Sequence, residues 1–154
     1  PGMAEPQPTD RAPVRREAFP HHRSITTRWM DNDIYGHVNN VVYYSFFDTA
    51  VNAALIEAGV LDIHAGPVIG LVVESQCRYV RPLAFPESVT AGLRVGRLGN
   101  SSVRYEIGLF AGQEEDAAAF GHFVHVYVDR QTRRPVPLPA DMRAFLEGLV
   151  VSGA

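Results

Sequence analysis

The sequence predicts an α+β domain in which one antiparallel sheet wraps a single long helix. Three observations predict it. The run from Val41 to Ala58 carries apolar residues at helical spacing around most of its circumference. The segment 67–129 alternates with period two between short turns, which force neighbouring strands to be antiparallel. A helix that is apolar nearly all round then needs a curled sheet to enclose it.

Taken in order, the first twenty residues, PGMAEPQPTDRAPVRREAFP, are rich in proline and charge and lack periodicity. They read as a disordered tail (1–20), leaving 21–150 as a single domain. A length of 154 residues with 46% hydrophobic content suits one domain with a true core. The first strand is expected at His22–Trp29, where β-branched residues meet an aromatic. A polar turn, Asp31–Asn40, follows, with Gly36 supplying backbone freedom. Phe46, Phe47, Ala50, Val51, Ala54, Leu55 and Ala58 then define a helix of about 28 Å, capped by Asn39 or Asn40 and stopped at Gly59.

In PVIGLVVESQCRYV, Ile69, Leu71, Val73, Ser75, Cys77 and Tyr79 alternate with a more polar set, so one face should be dry. Pro82 and Pro86 interrupt before the next strand. Val89, Ala91, Leu93 and Val95 line that strand, and Val103, Tyr105, Ile107 and Leu109 its partner, with Gly99-Asn100 as a two-residue turn between them. AAAFGHFVHVYVDR is the last strand, and a short helix opens at Asp141. Long strands with an uncovered face argue for pairing with a second copy, a dimer at least.

A formal charge of -3 argues against a nucleic-acid partner, since phosphate affinity needs concentrated basic surface. No apolar run approaches the roughly 20 residues of a membrane span. One cysteine, Cys77, suits a reducing cytoplasmic setting. Phosphate loops, serine elbows and clustered metal ligands are missing from the sequence, so no metal and no cofactor is expected.

The chemistry concentrates in RWMDNDIYGHVNNVVYYSFFDTA, residues 28–50. Asp33 is a carboxylate just before the N-terminus of the predicted helix. Amides there lack intrahelical partners and carry partial positive charge. A carboxylate beside free N–H donors is what acyl transfer needs, one to attack or to activate water and the other to hold an oxyanion. The alternative is a plain turn aspartate, frequent in Asp-x-x-Gly. His37, in the same turn, either orients a reacting group or locks the loop through a backbone carbonyl. Asn39 and Asn40 are capping candidates whose neighbouring amides would be the functional groups. Tyr35, Tyr43 and Tyr44 fit packing as well as substrate contact, and Asp31 is expected to face solvent. His122 and His125, three apart on a strand, point to opposite faces and cannot share a metal. Cys77 reads as inert core. Arg94, Arg97 and Arg104 flank one hairpin and could meet phosphates.

Asp33-x-x-Gly36-His37-Val38-Asn39-Asn40 with Tyr43 resembles the signature of hotdog-fold acyl-CoA thioesterases of the 4-hydroxybenzoyl-CoA thioesterase type. Arg81-Pro82-Leu83, Val128-Asp129 and Arg134-Pro135-Val136-Pro137 add weaker likeness, and the whole covers about residues 22–147. The resemblance implies a hotdog fold, a five-stranded antiparallel sheet around one central helix. It implies acyl-CoA hydrolysis, with Asp33 as nucleophile or general base and the Asn40 backbone amide polarising the thioester carbonyl. It places sites between two subunits, in homodimers that often pair into homotetramers. His37 is the third catalytic candidate, and Tyr35, Asn39, Tyr43 and Arg97 are the substrate-binding candidates. His37 and Asn40 replace the apolar residue and tyrosine of the best-studied branch, which brings the chain nearer to the branch acting on fatty acyl-CoA. The rival readings are an enoyl-CoA hydratase/dehydratase on the same architecture and a non-catalytic acyl-binding module.

Overall fold

The computed structural model describes residues 12–151. It contains β1 (His21–Thr26), α1 (Asn40–Glu57), β2 (Val68–Tyr79), β3 (Ser88–Leu98), β4 (Ser102–Ala111), β5 (Ala119–Asp129) and α2 (Ala140–Glu147). The strands form one sheet in the order β1-β3-β4-β5-β2, and every adjacent pair is antiparallel. This is the expected five-stranded sheet on one long helix, with α2 as a short addition at the C-terminal side.

The helix spacing explains the packing. Tyr43, Phe46, Phe47, Ala50, Val51, Ala54 and Leu55 recur every three or four residues and are all buried. They meet Val89, Ala91, Leu93 and Val95 of β3 and Val103, Tyr105, Ile107 and Leu109 of β4 in one core. These strand residues are i, i+2 sets, so each strand turns one full face to α1. Gly59, at φ +73°, ends the helix. Its N–H reaches the Ile56 carbonyl while Val60 N–H reaches that of Leu55, which satisfies two orphan carbonyls at once. The helix is not enclosed on all sides, however. Val41, Ser45, Asp48, Thr49 and Ile56 form an exposed stripe that the single chain leaves uncovered.

Several boundaries differ from the sequence expectation. The first strand stops at Thr26, and Trp29 belongs to a single 3-10 turn, Trp29–Asp31. The β3–β4 turn is Asn100-Ser101, one residue later than expected, because Gly99 N–H bonds the Ser102 carbonyl at 2.8 Å and closes the loop there. α2 starts at Ala140 behind Pro139, with Asp141 inside its first turn.

The dry face expected on β2 is not dry in the protomer. β2 is an edge strand, bonded to β5 alone, and a bulge between Val72 and Glu74 breaks its alternation. Val72 and Val73 are consequently both exposed, and only Val68, Ile69, Leu71 and Cys77 are partly covered. Twelve residues of edge strand with open backbone groups favour pairing with another strand. Burial pushes the Cys77 thiol up to about 11, in line with its inert assignment.

Part of the segment expected as a disordered tail (1–20) is packed on the sheet. Residues 1–11 lie outside the described residues, but Val14–Phe19 is laid against the sheet. Val14 accepts from Ala117 N–H and Arg16 N–H donates to Glu115, both at 2.8 Å. Phe19 fills a notch made by Gly92 and Gly108, where an added Cβ would stand 2.7 and 2.8 Å from its ring. Two glycines on neighbouring strands thus make room for one aromatic side chain, and the Arg94 guanidinium covers it at 4.9 Å.

His122 and His125 do face opposite sides. His122 Nε2 meets Glu74 at 2.6 Å, while His125 lies on the helix side between Tyr105 and Phe123. It is 4% exposed, its Nε2 has no partner among the described residues, and burial lowers its pKa to about 4. The unfolded imidazole titrates near 6.5, so between pH 6.5 and 4 only the unfolded chain takes up the proton, and acid favours unfolding. Stability is expected to fall by about 2 kcal/mol from pH 7.5 to 5 through this residue. His125→Phe, stacked in the same aromatic cluster, should flatten that slope in urea titrations; an unchanged slope would assign the acid sensitivity elsewhere.

Candidate active site

The residues between β1 and α1 form a small closed ladder. Asn32 and Val38 make an antiparallel bridge. Asp33 N–H donates to the His37 carbonyl at 2.9 Å, and Asn39 N–H to that of Asp31 at 2.8 Å. Gly36, at φ +82°, closes the tip, a left-handed conformation suited to glycine. The ladder is pinned from outside, because Val38 N–H bonds the Leu83 carbonyl at 2.7 Å and Asn32 Oδ1 accepts from Phe85 N–H at 3.0 Å.

The two aspartates of this segment take different parts. Asp31, expected at the surface, is 1% exposed. Its carboxylate accepts from Arg28 N–H at 2.7 Å and from the Arg28 guanidinium at 2.9 and 3.2 Å, so it is consumed in bracing the loop. Asp33 has no ion-pair partner among the described residues. One of its oxygens takes the Tyr35 N–H at 2.9 Å, which fixes the carboxylate without neutralising it. It borders a depression of about 680 Å³ lined by Trp29, Met30, Asn32, Ile34 and Gly36.

Asn39 is the cap of α1. Its side chain accepts from Val41 N–H at 3.1 Å and its carbonyl from Val42 N–H at 2.9 Å. That leaves the Asn40 N–H, at the first residue of the helix, without a partner among the described residues. Tyr79, on β2, donates its hydroxyl to the Asn40 carbonyl at 3.1 Å and holds this end of the helix in place. An unpaired amide at the positive end of an 18-residue helix is an anion-binding position.

The other candidates separate. His37 contributes its own backbone carbonyl to the ladder as acceptor from Asp33 N–H, while its side chain is exposed on the same rung as Asp33 and bonds no backbone carbonyl among the described residues. Tyr35 is 80% exposed beside it, and Ile34 93%. Tyr43 is buried, and its hydroxyl accepts from Leu83 N–H at 3.3 Å, so in the protomer it braces the loop instead of meeting solvent. Burial also raises its pKa. Arg97 lies nine residues along β3 from Ser88, at the opposite end of the sheet and about 30 Å from the Asp33 loop. Arg94 and Arg104 are both committed to Glu106, at 2.8 and 3.0 Å. Sequence reasoning missed Tyr79, Asn32 and the Leu83 backbone as positioning groups. Only the Arg81-Pro82-Leu83 likeness hinted at any of them, since the contacts join residues about forty or more positions apart.

The model of the thioesterase-like superfamily matches residues 27–146. The chain belongs to that superfamily. Its fold agrees with solved members. The PA5185 protein from Pseudomonas aeruginosa strain PAO1 is 56% identical, with 93% of this chain and 100% of that chain covered and a TM-score of 0.90. The PA2801 protein of Pseudomonas aeruginosa, provisionally named a thioesterase, is 32% identical over 82% of this chain and 97% of its own, with a TM-score of 0.76. A DHNA-CoA thioesterase from Staphylococcus aureus shares the fold at 19% identity, TM-score 0.72, covering 82% of this chain and 86% of its own. No curated protein matches the chain. In this superfamily the architecture is the hotdog, and α1 with its N-terminal loop is the central helix and its mouth.

Proposed function

We propose that the protein hydrolyses acyl-CoA thioesters to the free acid and coenzyme A. The observation that carries this reading is one carboxylate without an ion pair, Asp33, on the loop that leads into one helix-start amide without a partner among the described residues, Asn40. The Asn40 N–H polarises the thioester carbonyl and holds the oxyanion as it forms. Asp33 accepts a proton from water as the water oxygen bonds to the carbonyl carbon, or attacks that carbon itself to give an anhydride that water then opens. Either way the C–S bond breaks, the sulfur leaves with the bonding pair and is protonated, and the acid gains one oxygen, from water directly or from Asp33 when water opens the anhydride at the Asp33 carbon. An alkyl thiol ionises near 8.5, so its departure needs no strong acid. His37, on the rung opposite Asp33, orients substrate or water.

The site is completed by a second subunit. Ile34, Tyr35, Trp29, Met30 and Val41 are large apolar side chains left in the open around Asp33, and the long edge of β2 runs beside them through Tyr79. Antiparallel pairing of β2 with a second copy covers both.

Thiol release across a panel of acyl-CoA esters tests the reading. Release from at least one ester, falling on dilution below the dimer dissociation constant, is the expected result. Hydration of crotonyl-CoA without thiol release would make the chain a hydratase, and tight acyl-CoA binding with neither reaction a binding module.

A further inference from the structure

The chain's one tryptophan stands in the open. Trp29 is 78% exposed and its neighbour Met30 74%. An indole and a thioether are among the side chains that gain most from burial, so the fold alone does not explain leaving both out. Nor are they loose. The 3-10 turn Trp29–Asp31 is braced from beneath, where the buried Asp31 carboxylate takes the Arg28 N–H at 2.7 Å and its guanidinium at 2.9 Å. The indole meets Phe85 edge-on, with ring centroids 6.0 Å apart and planes at 83°. Phe85 is itself tied to the loop, its N–H donating to Asn32 Oδ1 at 3.0 Å. A fixed turn thus presents two large apolar side chains to solvent.

With Ile34 they line the depression of about 680 Å³ that Asp33 borders, a space within the range of small-molecule sites. The lining is chemically one-sided. Trp29, Met30 and Ile34 are apolar, Asp33 is an anion, and no cationic side chain lines the space among the described residues. Arg28, the cation of this turn, is held by Asp31. The lining also offers only one flat face. Phe85 stands nearly perpendicular to the indole, so the two rings form no parallel slot for an aromatic ligand. A thioether and a branched aliphatic side chain adapt instead to a flexible chain.

We propose that Trp29, Met30 and Ile34 form the acyl seat of the site, and that the seat selects neutral aliphatic acyl groups of medium length or longer over acetyl, aryl and ω-carboxylated ones. This inference rests on the thioesterase reading above and names its substrate class. The thioester carbonyl lies at Asp33, and the chain runs from it over Met30 and the indole. The second subunit closes over the same surface and shields the seat from water. Each methylene laid on these side chains leaves water and raises kcat/KM about two- to fourfold until the seat is filled. A terminal carboxylate would be desolvated near Asp33 with no cation to meet it.

Straight-chain acyl-CoA esters from acetyl to dodecanoyl, with benzoyl-CoA and adipoyl-CoA beside them, test the selectivity. From acetyl to octanoyl, kcat/KM is expected to rise about a hundredfold or more, with the benzoyl and adipoyl esters below hexanoyl. A flat profile, or a preference for benzoyl or adipoyl, would overturn the seat while hydrolysis itself stood. Failure of the wild type to release thiol from any ester would sink the underlying reading and this one with it. Trp29→Ala is expected to cut the octanoyl-to-butanoyl ratio of kcat/KM about tenfold. An unchanged ratio, whether light scattering finds a dimer or a monomer, would assign Trp29 to the subunit contact and overturn the proposal. Met30→Lys adds a cation at an exposed position and supplies the converse: adipoyl-CoA should gain about tenfold in kcat/KM while octanoyl-CoA loses. No gain for adipoyl-CoA in a folded Met30→Lys protein would place Met30 outside the seat. Indole emission gives a readout free of turnover. In Asp33→Asn, octanoyl-CoA should shift the emission of the single tryptophan to the blue and free coenzyme A should leave it in place. An equal shift with both ligands, or none with either, would show that the acyl chain does not lie on Trp29.

Discussion

Asp33→Asn is expected to leave the fold intact and to lower kcat for acyl-CoA hydrolysis by about two to four orders of magnitude. Asparagine keeps an oxygen to accept the Tyr35 N–H at 2.9 Å, so the loop loses no hydrogen bond. Asp33 also has no ion pair to break, in contrast to Asp31, whose carboxylate takes three bonds from Arg28. Only the capacity to take a proton or attack carbon is removed, while the Asn40 amide remains free to polarise the carbonyl. The measurement is thiol release at saturating substrate beside a melting curve. Full activity in this variant would remove Asp33 from the chemistry. Lost activity with a melting point down by many degrees would instead make it a structural residue. A single turnover in heavy-oxygen water tests for the covalent route, since label in the Asp33 carboxyl requires an anhydride opened at the Asp33 carbon, whereas a base mechanism puts label only in the released acid.

The contrast between those two aspartates shows where sequence stops being informative. Both lie two residues apart in one polar turn, and composition cannot say which will be neutralised. The answer comes from the 3-10 turn Trp29–Asp31, which folds Asp31 back onto the Arg28 N–H and guanidinium. The central helix was legible because its burial follows a local period, and β3, β4 and β5 were legible because each is paired on both sides and sends an i, i+2 apolar set into the core. β2 was misread at its face because one bulge inverts the pattern and an edge strand has no neighbour to enforce it. Phe19 was lost in a proline-rich tail because its partners, Gly92 and Gly108, are distant glycines with no hydrophobic signal of their own. Asn39 and Gly59 were readable as cap and stop, being local backbone chemistry. Tyr79 was not, because its bond to Asn40 depends on how the sheet curls over the helix.

Phe47→Ala is expected to cost about 3–5 kcal/mol of stability, near the upper end for a core truncation. Cost at such a site depends on whether the surroundings can close over the missing ring. Phe47 is wholly buried, edge-on to Tyr44 and Phe123 at 5.9 and 5.6 Å. Its ring also covers Gly121, whose absent Cβ would sit 2.8 Å from Phe47 Cε2. From the other side the Gln76 carbonyl would lie 2.1 Å from that same Cβ, so β5 is wedged between the helix and β2. With Gly121 paired to both Cys77 and Ile107, the strand cannot shift inward without breaking ladder bonds on both flanks. The cavity therefore persists, and urea unfolding should register nearly the full loss. A cost below about 1 kcal/mol would mean that α1 settles onto the sheet instead. In that event the Asn40 amide and Asp33 would also move, and activity would fall with stability hardly changed. Stability lost with activity retained at low temperature is the expected pair of results, because the helix start is fixed separately by Asn39, Tyr79 and Leu83.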